Sequence, residues 1–258
     1  MFSQTTIHRA ASLLRRALVG LAGGAVLLLP GVHAAGADCP IFSGSDLIVP
    51  NNCTYVISGS EAYQNVKVKA GGTLELAAGA ILRVTNSVCV HPRGAFKFTA
   101  TSGTQPTLRA TEQGVTLDGL LEVTGSVGGA LDRAGNLETV QLLSGGEIRC
   151  TGGPLTISLP FENDGTVTAN GAADGDDIIF NLSVISNGST GTFQVTTANS
   201  ELTFLHSGTP SLTGDADFDV AAGVMLFKST LTTAGGFRQT GGSLKVDANK
   251  TFTATGDF

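Results

Sequence analysis

Apolar and polar residues alternate in short runs along the chain, and most of these runs follow a glycine. The recurring phrase is Gly, a variable residue, apolar, polar, apolar; alternation with a period of two predicts strands with one buried side. Its copies begin at Gly72, Gly94, Gly119, Gly146, Gly165, Gly191 and Gly242. A further copy, near Gly214, is shifted by two residues and reads Phe218-Asp219-Val220. The 170 residues from Gly72 to Gly242 cover seven steps, a period of about 24 residues that is typical of a solenoid.

A second apolar strand follows most copies after a tight turn. These second strands are Ile81–Val84, Leu155–Ile157, Ile178–Phe180, Leu202–Phe204, Val224–Leu226 and Thr251–Thr253. Three stretches, starting at Leu74, Phe218 and Leu244, align through both strands without gaps. Their turns carry Gly, Gly and Asn at the same place, and these residues tolerate a left-handed backbone. A repeated turn of fixed shape is therefore predicted.

Stacking the copies places apolar residues in two columns and polar residues between them. The first inward column is Leu74, Phe96, Leu121, Ile148, Val167, Phe193, Phe218 and Leu244. The second is Leu76, Phe98, Val123, Cys150, Ala169, Val195, Val220 and Val246. The outward column between them is Glu75, Lys97, Glu122, Arg149, Thr168, Gln194, Asp219 and Lys245. Its first four members alternate in charge, and opposite charges on adjacent strands about 4.8 Å apart stabilise a stack.

These columns predict an all-β fold, a right-handed parallel β-helix (β-solenoid) with about eight coils of roughly 24 residues. The alternative is a β-sandwich, which also contains short strands at regular spacing. The composition agrees with either fold, because 35 residues are Gly and only 14% are charged. Such a chain has few helix-forming residues and many turns.

Residues 1–37 have the order of a secretory signal peptide. Arg9, Arg15 and Arg16 precede thirteen uncharged residues from Ala17 to Leu29, and small residues follow up to residue 37. Thirteen apolar residues are short for a membrane span, which needs roughly 20. We therefore expect cleavage, a mature protein that does not span the membrane, and a secreted or cell-surface location after export across the inner membrane.

The mature chain is predicted to contain an N-terminal cap region, residues 38–60, and solenoid repeats over residues 61–258. The last repeat carries no polar cap, which leaves three expectations: an open coil, a longer protein truncated at this point, or end-to-end association with a partner. Without the signal peptide the chain has 12 basic and 21 acidic residues, a net charge of −9. Because such a surface repels phosphate backbones, nucleic acid is excluded as a partner.

Four cysteines remain after export, at positions 39, 53, 89 and 150. An even number in an oxidising compartment predicts disulfides, and four cysteines allow three connectivities. The pair Cys39–Cys53 is favoured because its members are close in sequence and flank the start of the mature fold. Cys150 falls in an inward column and is predicted to be a buried thiol.

The stretch Gly-Gly-Thr-Leu-Glu-Leu-Ala-Ala-Gly-Ala-Ile-Leu-Arg-Val, which ends at Val84, resembles the repeats of secreted bacterial β-helix proteins. Filamentous-haemagglutinin-like adhesins and autotransporter passengers have repeats of this kind, and the resemblance covers residues 60–258 as a pattern. It implies a non-enzymatic, adhesin-like scaffold that meets a polysaccharide or protein on a host or neighbouring cell. It transfers no catalytic residue and no cofactor.

Asp176 and Asp177 are the candidate catalytic residues. The sequence Gly175-Asp176-Asp177-Ile178 resembles the Gly-Asp-Asp motif of polygalacturonase-type hydrolases, and paired carboxylates cleave glycosidic bonds by acid–base chemistry. This resemblance implies a carbohydrate-active hydrolase or lyase as the alternative function. The three further motifs of that family have no match here, and an ordinary acidic turn is the other interpretation.

The same region resembles a calcium-binding nonapeptide repeat, from Gly171 to Ile179. Asp174, Asp176 and Asp177 would supply the hard oxygen ligands that Ca²⁺ prefers. A third hypothesis is therefore a calcium-stabilised structural module. The repeat favours the first hypothesis, the scaffold, because its columns account for most of the chain.

Overall fold

A computed structural model describes residues 39–133, 139–171, 175–182, 184–186, 191–205 and 212–256. Every secondary structure element within these ranges is a strand, numbered β1 to β27. The predicted signal peptide lies outside the described residues. In the described part of the chain, no helix has the length and apolar character needed to cross a membrane.

Each complete coil contributes one strand to each of three faces. Face 1 is a nine-stranded parallel sheet formed by β3 (Thr54–Ile57), β5 (Thr73–Leu76), β7 (Ala95–Phe98), β10 (Leu120–Val123), β13 (Glu147–Cys150), β16 (Thr166–Ala169), β19 (Thr192–Val195), β22 (Asp217–Val220) and β25 (Phe237–Gln239). Face 2 is formed by β8 (Thr107–Ala110), β11 (Gly129–Arg133), β14 (Leu155–Ile157), β17 (Gly175–Phe180), β20 (Ser200–Phe204), β23 (Val224–Phe227) and β26 (Ser243–Val246).

Face 3 completes the coil and leads back to face 1. It is formed by β2 (Asp46–Val49), β9 (Gly114–Leu117), β12 (Val140–Leu142), β15 (Phe161–Asn163), β18 (Val184–Ser186), β21 (Leu212–Gly214), β24 (Leu231–Thr233) and β27 (Phe252–Ala254). Two long strands, β4 (Ser60–Val68) and β6 (Ile81–Val90), run through faces 2 and 3 and join them. β1 (Ile41–Ser43) pairs with β2 and forms the one antiparallel pair among the described strands.

The parallel, in-register stack confirms the prediction of a β-solenoid of about eight coils. The coils differ in length. Side chains that bond across adjacent face 1 strands are 19 residues apart at Asp219 and Arg238 but 27 apart at Glu122 and Arg149. Corner turns absorb these differences, because the strands of all three faces keep their register apart from one shift between β4 and β6 and one between β17 and β20.

The core is the inside of the stack, filled by alternate residues of each strand. On face 1 the first inward column is Tyr55, Leu74, Phe96, Leu121, Ile148, Val167, Phe193, Phe218 and Phe237. All of them except Phe237 are buried. Phenylalanine rings stack on one another in the later coils, as with Phe204 and Phe227, whose centroids lie 4.9 Å apart. Burial of apolar area in these columns is the main force that holds the coils together.

The N-terminal end of the core is closed by aromatic rings and a carboxylate. Tyr55 and Tyr63 donate hydrogen bonds to Glu61, at 3.1 Å and 2.5 Å to its Oε2. The ring of Phe42 on β1 stacks on that of Tyr63 at 6.1 Å. Burial and the hydrogen bond to Glu61 raise the pKa of Tyr63 far above its ordinary value. The two tyrosine hydroxyls and the Glu61 carboxylate thus satisfy one another's hydrogen-bonding groups at the first coil.

The predicted position of the last repeat was wrong. Leu244 pairs with Met225 on face 2, whereas Phe218 on face 1 is followed by Phe237. The polar column consequently ends at Arg238 instead of Lys245. The corner between faces 1 and 2 also requires glycine: Gly223 and Gly242 have φ values of 70° and 60° there. The repeat phrase that begins at Gly242 therefore contains a face 2 strand. Its residue types are the same as those of the face 1 copies, so the sequence alone could not show on which face it lies.

Candidate ligand-binding face

Asp176 and Asp177 lie on β17, where a bulge interrupts the pairing with β20. Asp176 pairs with Glu201 and Ile178 with Leu202, so Asp177 is the extra residue of the bulge. Asp177 is buried, with only 3% of its surface exposed. Its carboxylate is therefore not open to a polymer in solution. Asp174 and the side chain of Asp176 lie outside the described residues.

The carboxylate of Asp177 takes part in the packing of a corner. Its Oδ2 accepts a hydrogen bond of 3.3 Å from the Gly171 amide. A Cβ at Gly171 would lie 2.4 Å from Oδ1, so a larger residue there would displace the Asp177 carboxylate. Thr197 and Ser200 donate their hydroxyl hydrogen bonds to the Gly171 carbonyl, at 2.8 Å and 3.2 Å. The bulge thus places Asp177 in a structural network.

The calcium hypothesis depends on three aspartates of which only Asp177 has a described side chain. In the described ranges, no group of three or more His, Cys, Asp or Glu residues is arranged to hold a metal ion. Because Asp174 falls outside those ranges, calcium binding stays a prediction.

Two of the four cysteines form a disulfide, and the other two are free thiols. Cys39 and Cys53 form a disulfide, as predicted. Cys150 is fully buried, and burial followed by the nearby charge of Asp177 raises its pKa well above the ordinary value. Cys89 is half-exposed on the outward side of β6, between Lys67 and Thr116 of the adjacent strands.

We expect a maleimide reagent to label one thiol per folded chain and two after unfolding without reductant. The first is Cys89, because it faces outwards, and the second is Cys150, because its thiolate is strongly disfavoured in the core. Mass spectrometry of labelled peptides counts and locates the adducts. Labelling of Cys150 in the folded protein would contradict the register of face 1.

On the outer side of face 1 lies a row of polar side chains, which we call the polar row and in which Glu122 and Thr168 are buried among their neighbours. Its members are Glu75, Lys97, Glu122, Arg149, Thr168, Gln194, Asp219 and Arg238. Lys97 Nζ and Arg149 Nη2 lie 2.9 Å and 2.8 Å from the carboxylate of Glu122. Further along, Gln194 donates a 2.7 Å hydrogen bond to Thr168 Oγ1. Contacts between coils therefore fix these side chains.

Glu122 is the centre of the polar row. Its side chain is only 9% exposed, because Lys97 and Arg149 cover it from both sides. Burial alone would raise the pKa of Glu122, but the hydrogen bonds and charges of Lys97 and Arg149 lower it below its ordinary value. The carboxylate is thus held ionised on face 1.

Replacing Glu122 with glutamine is expected to lower the free energy of unfolding by about 1–2 kcal/mol at neutral pH. The substitution removes the shared anion and leaves Lys97 and Arg149 to repel each other. A pKa that is depressed by folding adds stability above the unfolded pKa, and this stability is lost as the pH falls through the folded pKa. Urea unfolding at several pH values measures the difference, which should shrink in acid. The control is Glu75→Gln, and an equal loss there would contradict the shared ion pair.

A second cluster of charges lies at the corner where face 3 leads into face 1. Lys69 and His91 are 22 residues apart, yet Lys69 Nζ lies 3.4 Å from His91 Nε2. Lys67 on β4 and Arg93 complete this group, which we call the cationic corner. The sequence analysis did not find it. The sequence does contain one indication of this cluster, because Lys69 and His91 each stand three residues before the glycine of a repeat, at Gly72 and Gly94.

Comparison with known proteins finds no matching family model, curated protein or solved structure. Function is therefore inferred from the side chains that the faces and corners bring together.

Proposed function

We propose that the protein is an exported, non-enzymatic β-solenoid scaffold, adhesin-like, which binds a polysaccharide or protein of a cell surface. The proposal is based on the polar row. Nine parallel strands, each about 4.8 Å from the next, make face 1 roughly 40 Å long. Ion pairs and hydrogen bonds between coils hold its side chains in place. A rigid face loses little entropy when it binds an extended ligand.

Two further observations support export and the choice of a binding surface over a catalytic one. The Cys39–Cys53 disulfide is typical of proteins in oxidising compartments. The carboxylate of Asp177 is buried in a corner, which favours a structural role for it. A secreted or surface-displayed rod agrees with both.

The test is retention of the fluorescently labelled protein on bacterial and host cells, with one matched pair of variants. Gln194 on face 1 and Gln141 on face 3 each donate a hydrogen bond to the adjacent coil, and each pairs with an acidic residue, Asp219 or Glu162. We expect Gln194→Lys to lower retention several-fold and Gln141→Lys to leave it unchanged. No retention on any cell type, or equal effects of the two variants, would count against face 1.

A further inference from the structure

The cationic corner is built by two stacked turns. Residues 69–72 lead into β5 and residues 91–94 lead into β7. The amide of Gly71 donates a 2.8 Å hydrogen bond to the carbonyl of Arg93, and that of His91 donates a 2.9 Å bond to the carbonyl of Val68. The side chains of Lys67, Lys69, His91 and Arg93 therefore come from two adjacent coils, about 5 Å apart.

The cations of this corner outnumber the nearby carboxylates among the described residues, of which Asp118 acts on His91. Lys67, Lys69 and Arg93 form no ion pair within the part of the chain that the structure describes. Elsewhere among the described residues, Lys97, Arg109, Arg149 and Arg238 each have a carboxylate partner, whereas Arg83, Lys228, Lys245 and Lys250 form no ion pair. In a chain of net charge −6, an unpaired cluster of cations is a local site for an anion.

The backbone of Arg93 gives an independent reason to assign a role to its side chain. Three residues at this corner have positive φ in successive coils: Asn52 at 56°, Gly71 at 72° and Arg93 at 63°. Asn and Gly tolerate this conformation, whereas arginine does so at a loss of stability. The chain keeps an exposed guanidinium where glycine would fit better, and strained residues of this kind are concentrated at functional sites.

We propose that the cationic corner binds the carboxylate groups of an acidic polysaccharide, which names a ligand class for the scaffold proposed above and rests on that proposal. Arginine binds carboxylates through its planar fork, and lysine adds point charges. The corner lies at the start of β5 and β7, so a polymer held there continues onto face 1. Nucleic acid fits less well, because a duplex-binding protein makes many phosphate contacts and Asp118 follows the corner in the next coil.

Binding at this corner should strengthen as the pH falls towards the pKa of His91. Burial and the charges of Lys69 and Lys67 lower the pKa of His91, and Asp118 opposes this shift. Arg93 stands two residues along the same turn and is not among the charges that act on His91. A protonated His91 would be a fourth cation for the ligand. A bound carboxylate in turn favours the protonated form, so affinity and protonation are linked.

The experiment is titration of the full-length protein and its variants with polygalacturonate, followed by calorimetry at pH 5.5 and pH 7.5. We expect the double variant Lys69→Gln/Arg93→Gly to bind about tenfold more weakly. The control, Lys228→Gln, removes an exposed cation from another corner and should bind like the wild type. The single variant Arg93→Gly should bind more weakly while its melting temperature stays equal or rises, because glycine relieves the backbone.

The outcomes separate the two proposals. Equal binding by the wild type and the double variant, absence of polygalacturonate binding, or equally tight binding of duplex DNA or anionic lipid vesicles would each overturn the assignment of this corner. If the double variant binds polygalacturonate as tightly as the wild type and is still retained on cells in the face 1 assay, the scaffold proposal stands and the corner proposal fails. If retention and polygalacturonate binding fall together, both are supported.

Discussion

Replacing Phe193 with alanine is expected to lower the free energy of unfolding by about 3–5 kcal/mol. Phe193 is fully buried on β19. Its ring centroid lies 5.4 Å from those of both Phe204 and Phe218, in an edge and a stacked arrangement. Truncation removes these contacts and leaves a cavity that adjacent coils cannot fill, because their strands are fixed by in-register hydrogen bonds.

Urea unfolding followed by far-ultraviolet circular dichroism measures this loss. The matched control is Phe42→Ala, which deletes the same atoms from a side chain that is 46% exposed. We expect the control to lose about 1 kcal/mol or less, since its ring is only partly removed from water. Similar losses at the two positions would contradict the inward direction of Phe193.

Removal of the Cys39–Cys53 disulfide is expected to destabilise the protein by about 3 kcal/mol. The bond closes a short loop, with a sequence separation of 14, and constraint of the unfolded chain accounts for a stabilisation of this size. The loop contains β1 and β2, which form the antiparallel pair at the first coil. Loss of the bond therefore loosens the first coil that the structure describes, which is paired with the next coil through β2 and β3.

The double variant Cys39→Ser/Cys53→Ser and the wild type are compared in urea with and without reductant. The wild-type midpoint should fall on reduction, and the variant should be low under both conditions. Cys89→Ser is the control and should behave like the wild type, since Cys89 forms no disulfide. A wild-type midpoint unaffected by reductant would contradict a stabilising role for the bond.

The face 1 stack could be predicted because its residues repeat in type as well as in spacing. Apolar residues fill both inward columns, and the alternating charges of Glu75, Lys97, Glu122 and Arg149 make sense only when successive coils are in register. The last coil could not be placed in this way. Glycine precedes the strands of face 1 and also those of face 2, so a glycine does not identify the face of the strand that follows it. In addition, the 19-residue step from Phe218 to Phe237 is shorter than the period of the earlier copies.

The third strand was also absent from the sequence analysis in every coil but the last, where Thr251–Thr253 was wrongly predicted as a second strand and overlaps β27 on face 3. Its members on face 3 are short, as in Val140–Leu142 and Phe161–Asn163, and they follow turns of variable length. Asn163 is buried there, where a hydrophobic pattern would require an apolar residue. Its side chain accepts a 3.1 Å hydrogen bond from the Gly165 amide, so a corner contact replaces the apolar contact.

The candidate sites were harder to judge than the fold. Two consecutive aspartates suggested a carboxylate pair, because sequence order does not reveal a bulge. The bulge on β17 places Asp177 in the interior, beside Gly171. The cationic corner was missed for a different reason, because Lys69 and His91 are far apart in sequence and come together only when the coil between them is folded.

The most direct test of a non-enzymatic binding scaffold is a combined binding and cleavage assay on polygalacturonate and neutral polysaccharides. The folded protein is incubated with each polymer, and polymer retention and newly formed reducing ends are measured together, with Asp176→Asn/Asp177→Asn as the comparison. A non-enzymatic scaffold retains polygalacturonate and forms no reducing ends, and a folded double variant gives the same result. Reducing ends formed by the wild type and lost in the variant, with its β-sheet circular dichroism intact, would contradict the non-enzymatic scaffold and make the β17 bulge an active site.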